Sequence, residues 1–289
     1  MSTYTSTIFS KGHGFLEGPR WHDGQLWASD FLTKQVMVFD RDGEPTTVAH
    51  VEGTPSGIGF LPDGTALVVS MTDHKVLRIL PDGSTDEYAD FSAVAGGAGN
   101  DMLVAPSGDC YVGNFGFALG QEDPRPTNLA HVDRNGVVHR VEGDVLFPNG
   151  EALTPAGVLL VAESFGHRIS AFDVQADGSL ANKRVWAQMD DSMNPDGICL
   201  DADGGVWFGN VLTNGPETGF YRVVEGGEIT DKVEVHVEGA WAVACVFGGP
   251  DLGTFFCIST ETTLEDFGAG RASAVIATAD VQRKGAVAA

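Results

Sequence analysis

The feature that most constrains this chain is a glycine turn that returns at nearly constant intervals. His22-Asp23-Gly24, Pro62-Asp63-Gly64, Pro106-Ser107-Gly108, Pro155-Ala156-Gly157 and Ala202-Asp203-Gly204 place turn glycines 40, 44, 49 and 47 residues apart. Each is followed by a short apolar run, such as Leu26-Trp27-Ala28, Ala66-Leu67-Val68-Val69 or Val206-Trp207-Phe208-Gly209. A third run and a second turn come next: Arg41-Asp42-Gly43, Pro81-Asp82-Gly83, Arg134-Asn135-Gly136 and Ala176-Asp177-Gly178. Helical periodicity is nearly absent. A self-similar unit of about 40–50 residues with about four short strands is one blade of a propeller. Six units are expected, starting near Glu17, Ser56, Asn100, Asn149, Asp196 and Ala242. The sixth is the most diverged, with three strands, and Tyr4–Phe9 is expected to supply its outer strand and close the ring. The expectation is an all-β, six-bladed β-propeller with a central metal site, residues 1–289 forming one domain.

Composition narrows the function. A net charge of −23 argues against nucleic acid, which calls for a basic patch, and favours cations. No apolar run is long enough to span a bilayer. The opening Met1–Phe15 has no basic stretch followed by an apolar core, so no leader is expected. Cys110, Cys199, Cys245 and Cys257 form no zinc-type pair and read as buried free thiols of a reducing compartment. A cytoplasmic protein, monomeric or a small homo-oligomer, is the expectation. His13, His22, His74 and His131 read as surface residues.

The chemistry falls at one register of the repeat. Ser56, Asn100, Asn149 and Asp196 each stand eight places before a turn glycine, and Glu17 stands seven before Gly24. These positions lead into the innermost strand of each blade, so they converge on the central axis. Glu17, Asn100, Asn149 and Asp196 all offer oxygen. Two carboxylates and two amide carbonyls suit a hard divalent ion, Ca²⁺ above all, and suit Zn²⁺ less without His or Cys. Pro148-Asn149-Gly150 and Pro195-Asp196-Gly197 are also ordinary turn tripeptides; the shared register is what sets them apart.

Leu16-Glu17-Gly18-Pro19-Arg20-Trp21, Gly99-Asn100-Asp101-Met102, Phe147-Pro148-Asn149-Gly150 and Asn194-Pro195-Asp196-Gly197 resemble the motifs of the SMP-30/gluconolactonase/regucalcin family. They run from the first blade to the fifth. The resemblance implies a lactonase holding one divalent metal through Glu17, Asn149 and Asp196. Asn100 would contact substrate and neighbour the metal, and Zn²⁺, Mn²⁺, Mg²⁺ or Fe²⁺ could replace Ca²⁺. It further implies a small lactone or ester as substrate. The metal would polarise its carbonyl, and Asp196 would act as base toward water or attack directly. The sequence departs from sugar lactonases at Ala98, where Arg is common, and at Gly113-Asn114-Phe115-Gly116-Phe117-Ala118, where polar residues are. A wider, less polar pocket follows, lined by Phe115, Phe117, Met71, Phe165 and Trp241, although blade packing accounts for such aromatics equally well.

Alternatives on the same fold are an organophosphate or activated-ester hydrolase, a metal-stabilised propeller without turnover, and a strictosidine-synthase-like condensing enzyme. The last does not rely on such a metal-type set. A serine hydrolase lacks its Gly-x-Ser-x-Gly elbow here, although Glu163, Ser164 and His167 follow a second strand.

Overall fold

A computed structural model describes residues 1–286. It is nearly all β, and its strands form six blades around a central channel. The inner strands are Leu16–His22, Pro55–Phe60, Gly99–Val104, Pro148–Leu153, Pro195–Leu200 and Trp241–Gly248. Each packs against the inner strands of its two neighbours, the sixth against the first. In blades one to five three further strands follow antiparallel and in sequence order.

The turn glycines explain the spacing. Gly24, Gly64, Gly108, Gly157 and Gly204 have φ of 75°, 86°, 88°, 76° and 81°, a region in which a Cβ is strained. Each joins an inner strand to the second strand of its blade.

Both faces of a blade are covered by its neighbours, so second strands read as continuous apolar runs rather than alternations. In blade two Val68 enters the cluster shared with blade one, while Leu67 and Val69 enter the one shared with blade three. Likewise Phe208 packs toward blade four and Trp207 toward blade six. Successive side chains of a strand point to opposite faces, which fixes these assignments.

The ring closes through the N-terminus. Thr7–His13 is the outer strand of blade six, antiparallel to Ser273–Ala279. Ser2–Tyr4 lies elsewhere: it adds a fifth, parallel strand to blade five at Ile229–Val233. The segment Tyr4–Phe9 is thus split between two blades. Ser10 Oγ donates to the Gly43 carbonyl at 2.6 Å, tying the closing strand to blade one.

One sequence expectation is overturned here. His131 is buried, 4% exposed, with Nε2 2.9 Å from Asp109 Oδ1. It sits between Ala130 and Val132 on the third strand of blade three, and the Asp109 carboxylate replaces its water. Cys110, Cys245 and Cys257 are buried free thiols, while Cys199, expected buried, is only partly so; Cys199 and Cys245 Sγ lie 3.7 Å apart without a disulfide. Among the described residues no helix is long and apolar enough to cross a membrane.

Candidate metal centre at the channel mouth

Glu17, Ser56, Asn100, Asn149, Asp196 and Ala242 are each the second residue of an inner strand. At or directly after each, the pairing with the second strand slips in a β-bulge. A bulge re-aims the side chain beside it. Repeated at one register, it accompanies the turn of Glu17, Asn100, Asn149 and Asp196 into one cavity, whereas Ala242 packs between blades five and six. Glycine follows four of them, and backbone crowding demands it. A Cβ on Gly57 would collide with the Met102 nitrogen, and one on Gly150 with the Ile198 nitrogen.

The register is held from outside by two repeated clamps. In five blades the residue after the second strand donates its N–H to the carbonyl two places before the register residue. The pairs are Phe31 to Phe15, Met71 to Thr54, Phe115 to Ala98, Ser164 to Phe147 and Val211 to Asn194, at 2.8–3.1 Å. The second clamp is a buried polar side chain ending the second strand. Asp30 accepts from the Gly14 and Phe15 N–H groups, Asn114 from Gly96, Glu163 from Leu146 and Asn210 from Asn194. Arg168 and Lys183 flank the Glu163 carboxylate, so Glu163 serves its blade rather than the channel.

Glu17, Asn100, Asn149 and Asp196 line one cavity at the channel mouth, only 5%, 3%, 4% and 2% exposed. The two amides are pinned by their nitrogens. Asn100 Nδ2 donates to the Pro148 carbonyl at 2.9 Å, and Asn149 Nδ2 to Ser164 Oγ at 3.3 Å. Ser164 passes its own hydrogen to the Pro195 carbonyl at 2.8 Å. Asn149 Oδ1 and Asp196 Oδ1 are left buried without a hydrogen-bond partner. Such oxygens are rare in folded proteins and call for a partner.

Electrostatics point the same way. Burial, then the charge of Asp101, raises the Glu17 carboxyl to about 8, despite the Gly18 N–H and Arg20. Burial, then Glu17, then Asp101 raises Asp196 well above the usual carboxylate range. Arg20 is engaged with Asp101 at 2.9 Å. Glu151, two places after Asn149, is also buried, and neither of its carboxylate oxygens has a partner. A divalent cation bound by Glu17, Asn149 and Asp196, with Asn100 beside it, would remove the mutual repulsion and satisfy the orphaned oxygens. The donors fit a hard, oxygen-seeking ion. Among the described residues no three His, Cys, Asp or Glu side chains gather as a metal cluster; half of this set is amide.

Of the apolar candidates, Phe115 and Trp241 line the cavity. Met71 and Phe117 do not belong to the lining; both are buried, and Phe117 packs behind Phe147 and Phe165 at 5.6 and 5.5 Å. Phe31, Leu119, Leu212 and Phe267 complete the rim, unforeseen from sequence. A shared register could have found some of them, since Phe31, Phe115 and Val211 each directly follow a second strand. Phe147, at φ 57°, is forced into the left-handed region and stacks on Phe115 at 4.5 Å. The cavity is narrow at its floor and opens to solvent between the rim side chains. A groove of ≈ 740 Å³ between blades six and one, beside Trp21, Phe39 and Phe256, contains none of the oxygen donors. The chemistry belongs to the smaller cavity, where the orphaned oxygens are.

Residues 15–261 match the SMP-30/Gluconolactonase/LRE-like region. A virginiamycin B lyase of Nocardia farcinica is 33% identical over 140 residues, 47% of this chain and 45% of the lyase, so less than half the lyase is matched. A regucalcin of Xenopus laevis is 24% identical over 251 residues, 68% of this chain and 79% of its own. Among solved structures, a luciferin-regenerating enzyme superposes with a TM-score of 0.80 at 19% identity, covering 96% of this chain and 95% of that one. A calcium-binding protein, regucalcin, of Agrobacterium tumefaciens gives 0.76 at 18%, over 100% and 99%. A gluconolactonase of Xanthomonas campestris gives 0.74 at 19%, over 94% and 88%. With a family match over most of its length and the fold of these propellers, the chain belongs to the SMP-30/gluconolactonase/LRE-like family.

Proposed function

We propose that this chain is a divalent-cation-dependent hydrolase that opens lactones or related esters, acting in the cytoplasm with Ca²⁺ as the preferred ion. The observation that carries the reading is the convergence of four oxygen donors from four blades on one cavity, with two oxygens buried and partnerless. A structural propeller has no use for such oxygens at the open end of its channel. The family match and the resemblance in fold to a gluconolactonase support the substrate type.

When bound, a cation here supplies the positive charge that polarises the ester carbonyl and steadies negative charge on its oxygen. Glu17 and Asn149 would hold it, with Asp196 as third ligand. Asn100, its nitrogen fixed to the Pro148 carbonyl, orients the substrate carbonyl. The Asp196 carboxylate takes a proton from the attacking water. Water oxygen bonds the carbonyl carbon, the ring C–O bond breaks, and the proton passes from Asp196 to the departing alkoxide. The product is a hydroxy acid. Asp196→Ala is expected to abolish lactone hydrolysis, followed as acid release with saturating Ca²⁺. A variant turning over at near-normal rate would remove Asp196 from the chemistry.

A further inference from the structure

Nearly every side chain above the oxygen floor of the cavity is hydrocarbon or aromatic. Phe31, Phe115, Leu119, Leu212, Trp241 and Phe267 form the rim, with Phe15, Phe147 and Val211 beneath them. Trp241 alone among these carries a polar hydrogen, and its Nε1 already donates to Asn214 Oδ1 at 3.2 Å. The polar lining side chains are Glu17, Asn100, Asn149 and Asp196, which are the reacting floor. No Lys, Arg or His belongs to this lining among the described residues. Apart from Trp241, which opens the inner strand of blade six, the rim is assembled from the segments that follow second strands in blades one, three, five and six, and Phe267 rides on the short helix Leu264–Gly268.

From this we infer that the substrate is a neutral lactone or ester whose ring or acyl group is apolar, and that sugar lactones and anionic lactones are poor substrates. The inference rests on the hydrolase reading and adds the substrate class to it. A polyhydroxylated ring would bury several hydroxyls against carbon, with no side-chain partner to replace water. A phosphorylated or carboxylated substrate would enter an acidic channel with no cation in the rim to meet it. An alkyl or aryl group instead loses water on entering and packs on Phe115, Trp241 and Phe267.

The test uses the full chain with saturating Ca²⁺. Hydrolysis of δ-decalactone and dihydrocoumarin is compared with that of glucono-1,5-lactone. The apolar substrates are expected to have kcat/KM at least about 100-fold higher. Phe267→Asn, on the short helix Leu264–Gly268, should narrow that ratio about tenfold, whereas general damage would lower both substrates together. Gluconolactone turned over as fast as, or faster than, the apolar lactones overturns the inference while leaving the hydrolase reading standing. If no lactone is hydrolysed, the hydrolase reading fails, and calorimetry with two δ-lactams decides the pocket. Binding of an alkyl-substituted lactam but not of gluconolactam upholds an apolar site; the reverse, or binding of neither, overturns it.

Discussion

Glu17 and Asp196 face each other in a site that water scarcely reaches, and their cost in the cation-free protein sets the pH response. Burial raises Glu17 from its ordinary 4.5 to about 8. The folded protein therefore binds a proton there that the unfolded chain has released, and stability falls as pH rises from about 4.5 through 8. A bound divalent ion reverses this, because it favours the ionised carboxylates. Thermal melts in EDTA should show Tm falling between pH 5 and 8, and added Ca²⁺ should restore it. Glu17→Gln should raise the Tm of the cation-free protein at pH 8 by about 5 °C and abolish the rise caused by Ca²⁺. Equal Ca²⁺-induced shifts in wild type and variant would place the ion elsewhere. At this scale the sequence was informative where a residue's role depends on register. Glu17, Asn100, Asn149 and Asp196 could be picked out because the repeat numbers them alike. His131 and the rim could not. His131 is paired with Asp109, 22 residues away at the start of the neighbouring strand, and Leu119, Leu212 and Phe267 meet only when segments from three blades converge.

The elements act as a lever on the site through the polar residues that end the second strands. Asn210 is fully buried; its Oδ1 accepts from Asn194 N–H at 2.6 Å, and its Nδ2 donates to the Ser192 and Glu217 carbonyls. Asn194 stands two residues before Asp196. Asn210→Ala removes three hydrogen bonds to backbone groups and should cost about 3 kcal/mol by chemical denaturation. On the proposed reading it should also slow turnover more than it weakens Ca²⁺ binding, since Asp196 would be one ligand among several. Unchanged stability would mean that the clamp is dispensable. The strand starts were legible because the glycine turns are local chemistry: Gly64 must reach positive φ whatever surrounds it. The bulge after each register residue was not. It arises from the close approach of neighbouring inner strands, such as Gly150 against the Ile198 nitrogen, which no single strand's sequence announces.

At the scale of the whole molecule the ring is closed by strands that are farthest apart in sequence. Without Thr7–His13 the edge of Ser273–Ala279 is left unpaired, and unpaired edges invite aggregation. Removing residues 2–6, which carry only the parallel strand on blade five, should lower Tm by a few degrees. Removing residues 2–13 should yield protein that aggregates on expression or melts far lower, read by light scattering and thermal unfolding. If both truncations behave alike, closure does not govern stability. The closed ring is what holds donors 179 residues apart in sequence, Glu17 and Asp196, around one point. The most direct test of the central claim is lactone hydrolysis by wild-type protein stripped with chelator and then supplied with Ca²⁺. The account expects acid release to vanish on chelation and return with the ion in wild type but not in Asp196→Ala. Turnover that persists in the chelated protein, or in Asp196→Ala, would contradict it.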